Sequence, residues 1–283
     1  LLQYMIDLTL SIVFTICLFL FFKEFDRRNI NTLQAITFNY LSAGVLSVLL
    51  GHSGYSYENV ISTDWFLPTF LLGIFFIVMF NIMALTTQRL GVTVGSLASK
   101  MSLIIPVLAA LLFQGDKWTL LKVLGISIAL VSVYLTVKKD EHQKGPIYLA
   151  LVLFIGAGLL DTVLSHIQFL HLDSPESRDY FTSTVFLVAF SIGGLLLVFK
   201  RQRLTIKNIT AGILLGIPNY FSIFFVLRSL DSMESSIVFP ILNIGVVILS
   251  ALIGWGYYKE HLSKLNWLGV VLAISAIYIL IYA

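Results

Sequence analysis

The chain is poor in charged residues. Only 12% of its 283 residues are Asp, Glu, Lys or Arg, against about 25% in an ordinary soluble domain, and its net charge is only +3. Mean hydropathy is +0.94, with 58% hydrophobic residues. So little charge cannot cover a water-exposed surface, and it leaves no basic footprint for a nucleic acid. The composition therefore indicates a membrane protein and excludes a nucleic-acid partner.

Cysteine and catalytic motifs are also scarce. Cys17 is the only cysteine, so an intrachain disulfide is impossible. The five histidines lack metal-ligand spacing, and no HExxH, Walker or DDxxD-like motif occurs. Gly51-His52-Ser53-Gly54 matches the GxSG of intramembrane serine proteases but falls in a polar connection. The sequence therefore predicts no enzyme, no catalytic residue, no metal site and no cofactor; an intramembrane hydrolase is only the third hypothesis.

Ten long apolar runs make up most of the chain. A spanning helix needs about 20 apolar residues, because about 30 Å of hydrocarbon is crossed at about 1.5 Å per residue. Continuous runs favour helices over a barrel. The sequence predicts an all-α polytopic protein with ten transmembrane helices, multi-pass in a bacterial inner (plasma) membrane. The runs lie near 4–22, 33–50, 65–85, 91–113, 119–137, 146–168, 180–199, 209–228, 235–257 and 265–282.

The basic residues are distributed unevenly between alternate connections. Thirteen of the eighteen Lys and Arg residues fall in the odd-numbered connections and four in the even-numbered ones. Cytoplasmic loops carry the excess of positive charge, so this count predicts cytoplasmic odd connections and both termini outside.

The second half of the chain repeats the first. At a shift of 144 residues, the segment 116–125 aligns with 260–269, and upstream the shift becomes about 140. Five helices per copy is an odd number, so the second copy enters the membrane from the opposite face. We therefore predict two inverted five-helix repeats, residues 1–140 and 145–283.

This pattern resembles the EamA-type branch of the drug/metabolite transporter superfamily over essentially the whole chain. The resemblance implies that the fourth and ninth helices line a central cavity and that the fifth and tenth pack at the periphery. It also implies cytoplasmic termini, in conflict with the charge count. The matching pairs are Asp116 and Glu260, Thr119 and Ser263, and Gly125 and Gly269.

Lys100 is the foremost candidate for binding a solute. It lies about ten residues into the fourth run, with Ser96, Ser99 and Ser102 nearby, and its repeat counterpart is Pro240. A lysine at this depth costs about 2.5–3.5 kcal/mol on insertion scales, so it should face a cavity or a partner. It either binds a carboxylate or phosphate or relays a proton; the alternatives are a structural ion pair and snorkelling to the interface.

Two carboxylates accompany it in apolar runs. Asp161, on the sixth helix, is predicted to pair with Lys100 or to be a proton or cation coupling site, with a carboxylate in an open vestibule as the alternative. Asp7 is expected near the membrane interface. Three charged residues follow the eighth helix and are expected to form either a charged gate at one mouth or a solvated turn: Arg228, Asp231 and Glu234.

Several neutral polar residues lie at middle depths. Asn81, Asn219, Tyr220 and Asn243 are predicted to contact the substrate, although such side chains also bond neighbouring helices. The structural role is favoured for Asn39.

The leading hypothesis is a secondary transporter that moves a small polar or amphipathic metabolite, such as an amino acid, by alternating access. A channel or scaffold is the rival class. Gly125-x-x-x-Ala129 and Gly269-x-x-x-Ala273 are helix-packing faces that serve either intramolecular packing or a homodimer through helices 5 and 10.

Overall fold

A computed structural model describes residues 2–51, 60–105, 108, 119–137, 146–171, 175–230 and 235–282. In these ranges the chain is all-helical, with ten helices, which confirms the predicted fold class. The helices are α1 (Leu2–Arg27), α2 (Thr32–Leu50), α3 (Phe66–Leu90), α4 (Val92–Met101), α5 (Leu120–Val137), α6 (Tyr148–His171), α7 (Pro175–Phe199), α8 (Ile206–Leu230), α9 (Ser235–Gly256) and α10 (Lys264–Ile281).

The observed helices follow the apolar runs closely, with one difference. Five of them, α1, α2, α3, α7 and α8, contain apolar stretches of 19 to 25 residues, long enough to cross a membrane. Shorter apolar helices occur in α5, α6, α9 and α10. The difference lies in the fourth run, where α4 ends at Met101 and a turn follows at residues 102–103. Residues 104, 105 and 108 are helical again, and the other residues from 106 to 113 lie outside the described part of the chain.

The chain folds into two units that do not coincide with its sequence halves. Unit 1 contains residues 1–24, 82–159 and 221–283, and unit 2 contains residues 25–81 and 160–220. Unit 1 thus holds the fourth, fifth, ninth and tenth helices, and unit 2 holds α2 and α7. Each unit takes corresponding helices from both halves of the sequence. The boundary between the repeats at 140–145 stays a prediction.

In unit 1, α5 packs against α10. The two helices begin with matched residues of the repeat. The Thr119 hydroxyl accepts a hydrogen bond from the Lys122 amide at 3.1 Å, and Ser263 forms a capping box with Asn266. Ala129 and Ala273 are fully buried. These small residues therefore pack within the chain, which is the intramolecular one of the two roles proposed from the sequence.

In unit 2, α2 packs against α7 around a buried aromatic cluster. The Tyr40 hydroxyl donates to the Phe76 carbonyl at 3.1 Å, and its ring lies 5.3 Å from that of Phe80 and 6.0 Å from that of Phe186. A buried tyrosine hydroxyl needs such a partner, because apolar surroundings supply none. This contact holds the middle of α3 against α2 and α7.

Candidate functional site

The polar interior of unit 1 is organised around the N-terminus of α4. The first amides of a helix have no intrahelical acceptor, and Gly91, which precedes α4, has no side chain to supply one. Glu260, beyond the end of α9, fills this role. Its Oε1 accepts from the Val92 amide at 2.6 Å, and its Oε2 accepts from the Thr93 amide at 3.2 Å and the Thr93 hydroxyl at 2.9 Å. An acidic residue from the second half of the sequence therefore caps a helix of the first.

Two glycines allow this close approach. Gly91 has φ +100°, a left-handed conformation, and a Cβ there would lie 2.6 Å from Glu260 Oε1. A Cβ at Gly254 would collide with Thr93 Oγ1 and with Glu260 Oε2. The carboxylate is therefore confined by backbone on both sides. We call Glu260, Gly91, Thr93 and Gly254 the α4 latch.

Beyond the latch, α4 and α9 face each other through polar residues. The hydroxyls of Ser96 and Ser250 are 2.5 Å apart, and both side chains are fully buried. With Thr93 against Gly254 and Ser96 against Ser250, the helices run antiparallel. Continuing that pairing brings the level of Asn243 to within about one helical turn of Lys100.

Lys100 lies where α4 is interrupted. It occupies the last turn of α4, is half-buried, and is followed by Met101, the final helical residue. The Ile105 amide donates to the Ser102 carbonyl at 2.9 Å, which is a turn and not an α-helical bond. Proline at position 106 has no amide hydrogen for the Ser102 carbonyl, which accounts for the break in the helix at this point.

A cation suits this position electrostatically. The C-terminus of a helix carries a partial negative charge, which favours Lys100 in its last turn. Interrupted helices form the substrate sites of many transporters, because they expose backbone polar groups and helix dipoles at middle depth. Together α4 and α9 present Lys100, Asn243 and the Ser96–Ser250 pair within unit 1.

The remaining predicted site residues belong to unit 2. Asn219 and Tyr220 are buried on α8, just beyond Pro218. Asp161 is half-buried on α6. The Asn81 amide donates to the Ile77 carbonyl of its own helix at 2.8 Å. The substrate role of these residues, and the pairing of Asp161 with Lys100, stay predictions.

Asn39 does not make the interhelical hydrogen bond expected of a structural asparagine. It is fully buried on α2, and neither its amide nitrogen nor its oxygen has a hydrogen-bond partner among the described residues. Leaving such a group unsatisfied costs about 1–3 kcal/mol, so it is an unusual feature of the unit 2 interior.

A second polar contact in unit 1 joins α1 to α8. Asp7 is 3% exposed, and its Oδ2 lies 3.4 Å from Arg228 Nε. One turn along, the Ser11 hydroxyl donates to the Ser222 carbonyl at 2.9 Å. Asp7 is therefore buried within the protein, close to the helix end where the sequence placed it. This ion pair was missed because its partners are 221 residues apart. Asp231 and Glu234, the other residues of the predicted gate, lie outside the described residues.

Metal-binding groups were searched for in the described part of the chain. No set of three or more His, Cys, Asp or Glu side chains is arranged there to hold a metal ion. The GxSG serine, Ser53, and the repeat partner of Glu260, Asp116, lie outside the described residues.

These helices and polar contacts define a multi-pass helical membrane protein. Residues 145–282 match the family model described as "EamA-like transporter family". Over these residues the chain is similar to the EamA-like transporter family, which bears out the resemblance noted from the sequence. This match indicates a small-molecule substrate and a location in a lipid bilayer.

Two further comparisons extend over the whole chain. It is 29% identical over 291 residues to an uncharacterised protein of Haemophilus influenzae, covering 98% of this chain and 97% of that protein. It is similar to one crystal structure with a TM-score of 0.64 and 13% identity, covering 98% of this chain and 96% of that one. The structural match supports the ten-helix fold and carries no information about the substrate.

Proposed function

We propose that the protein is a secondary transporter that carries a small polar or amphipathic metabolite, such as an amino acid, by alternating access. The observation that carries the proposal is the interruption of α4 immediately after Lys100, opposite the polar face of α9. A cation beside exposed backbone groups suits a solute with a carboxylate or phosphate. Asn243 supplies an amide within about one helical turn of Lys100. No covalent reaction and no cofactor is required.

The proposal assigns roles to four residues of unit 2: Asp161, Asn81, Asn219 and Tyr220. Asp161 is the coupling residue for a proton or a cation, because a half-buried carboxylate on a membrane helix can change its charge during transport. The other three contact the solute. The membrane is the inner (plasma) membrane of a bacterium, with the odd connections on the cytoplasmic side. Two copies form a homodimer through the exposed outer faces of α5 and α10.

A binding screen tests the solute class. Purified protein is heated with candidate amino acids, carboxylates, sugar phosphates and sugars, since a ligand of the folded state raises its unfolding temperature. We expect an anionic or zwitterionic solute to stabilise the wild type. Lys100→Ala should abolish that shift, and Lys100→Arg should keep part of it, because the charge remains on a larger planar group.

Lys264→Ala is the matched control, since Lys264 is an exposed cation at the start of α10 in the same unit. It should retain the full ligand-induced shift. Stabilisation of Lys100→Ala by the same solute, to the same degree as the wild type, would contradict the binding role of Lys100.

A channel is the second candidate function. The same polar residues on α4 and α9 would then line a continuous path, and flux would rise linearly with solute concentration. Saturable flux favours the carrier.

A further inference from the structure

One end of unit 2 carries a dense group of exposed cations. Three lie in the connection between α7 and α8, one lies in the first turn of α8, and two lie at the end of α1. The Lys207 ammonium donates to the Arg28 carbonyl at 2.5 Å, which holds the two connections together. Within residues 25–31 and 198–208, Asp26 is the only acidic residue. We call this group the basic rim: Arg27, Arg28, Lys200, Arg201, Arg203 and Lys207.

Large apolar side chains border the basic rim. Val198 and Phe199, at the end of α7, are 73% and 81% exposed, and Leu204 and Ile206 are 53% and 82% exposed. Apolar groups this exposed are stable in acyl chains and not in water. The cations therefore lie at the boundary between hydrocarbon and lipid headgroups.

Side-chain hydrogen bonds hold the connection between α7 and α8, which carries part of the basic rim. The Gln34 amide donates to Gln202 Oε1 at 3.2 Å and to the Arg203 carbonyl at 3.0 Å, while its oxygen accepts from Asn208 at 2.9 Å. Asn208 in turn accepts from the Asn31 amide at 3.1 Å. These bonds hold the backbone of the connection in place, so that backbone needs no further ordering when a ligand binds.

Arg201 also adopts a backbone conformation that glycine normally takes. Its φ is +47°, and the Gln202 amide donates to the Leu197 carbonyl at 3.1 Å, the pattern that closes a helix C-terminus. A side chain in this conformation strains the backbone. The arginine nevertheless places a guanidinium at the membrane boundary, where glycine would place nothing.

We propose that the basic rim binds the phosphate headgroups of anionic phospholipids. Clusters of four to eight Lys and Arg beside a membrane helix attract acidic lipid headgroups, and guanidinium groups bond phosphate oxygens in pairs. A zwitterionic headgroup carries the same phosphate together with a positively charged amine. It should therefore bind more weakly to a rim that has six basic residues and one acidic residue. The bordering apolar side chains meet the acyl chains of the same lipids.

The test measures lipid binding by native mass spectrometry of the purified full chain, titrated with phosphatidylglycerol or phosphatidylcholine. The test variant is Lys200→Gln with Arg203→Gln, which leaves the Gln34 contacts to the backbone intact. The matched control is Arg89→Gln with Lys264→Gln, two exposed cations of unit 1, which removes the same number of positive charges.

The wild type should bind phosphatidylglycerol more tightly than phosphatidylcholine. Each basic residue near an anionic surface strengthens binding about fivefold, so the test variant should bind phosphatidylglycerol about 25-fold more weakly. The control should bind as the wild type does. Unfolding temperatures in phosphatidylcholine verify that both variants are folded.

Three results would overturn the proposal. An equal loss in both double variants would mean that net charge, and not the rim, attracts the lipid. Unchanged binding by the test variant would exclude the rim. If millimolar inorganic phosphate displaces phosphatidylglycerol and binds with the same affinity, the site would be one for a soluble anion and not for a lipid. None of these results bears on transport. The lipid-binding proposal is therefore tested independently of the carrier function.

Discussion

The α4 latch gives the sharpest prediction about stability. Glu260 accepts three hydrogen bonds, two from backbone amides at the N-terminus of α4 and one from the Thr93 hydroxyl. Glu260→Ala removes all three and leaves those amides without an acceptor from the protein. Thr93 and Val92 are 1% and 0% exposed, so water replaces the carboxylate poorly.

The expected cost follows from these contacts. A hydrogen bond to a charged group contributes about 1.5–3 kcal/mol, but bonds that share one carboxylate are not additive. Loss of an N-cap alone costs about 1–2 kcal/mol. We therefore expect Glu260→Ala to lower the free energy of unfolding by about 2–4 kcal/mol, which corresponds to a fall of about 5–12 °C in unfolding temperature. Glu260→Gln keeps one acceptor and should cost about half as much.

The assay is thermal unfolding of the purified protein in one detergent. Asp26→Asn is the control, because Asp26 is an exposed carboxylate near the end of α1; its effect should stay within about 0.5 kcal/mol. The double substitution Glu260→Ala with Thr93→Val should destabilise less than the sum of the two single ones. An unfolding temperature of Glu260→Ala equal to that of the wild type would refute the latch.

Three other substitutions give independent checks by the same unfolding assay. Gly91→Ala should destabilise by about 2 kcal/mol or more, because it forces a Cβ against the capping carboxylate at positive φ, whereas Gly194→Ala, with no atom within 4 Å of its Cβ, should be neutral or slightly stabilising. Asp7→Ala and Arg228→Ala should each cost about 1–2 kcal/mol, with much of it recovered in the double variant; strict additivity would refute the pair. Asn39→Leu should leave the unfolding temperature unchanged or raise it, and a fall of several degrees would mean that the amide has a structural partner.

The helices were predictable because a bilayer imposes a length and a composition on every spanning segment. The turn after α4 shows the limit of that rule. Residues 103–113 are apolar, so hydropathy alone predicts one helix that continues through residues 102 and 103, where the structure has a turn. The sequence did hold the signal, since Pro106 cannot donate to the Ser102 carbonyl.

The contacts of the site could be predicted only in part. Self-comparison paired Thr119 with Ser263, and both residues cap the N-termini of their helices. It also singled out Glu260 but not its partner, because the N-terminus of α4 is 168 residues away in the chain. The side chain that meets a helix terminus is decided by how the helices pack, and sequence spacing does not contain that information.

The most direct test of the carrier function is counterflow in liposomes containing the purified protein. Liposomes preloaded with unlabelled solute, chosen by the binding screen, should take up the labelled solute faster than empty ones, and uptake should saturate. Lys100→Ala should lose this acceleration, and the exposed-site control Lys264→Ala should keep it. Linear, non-saturating uptake that preloading does not accelerate, across several solute classes, would contradict the account and favour a channel.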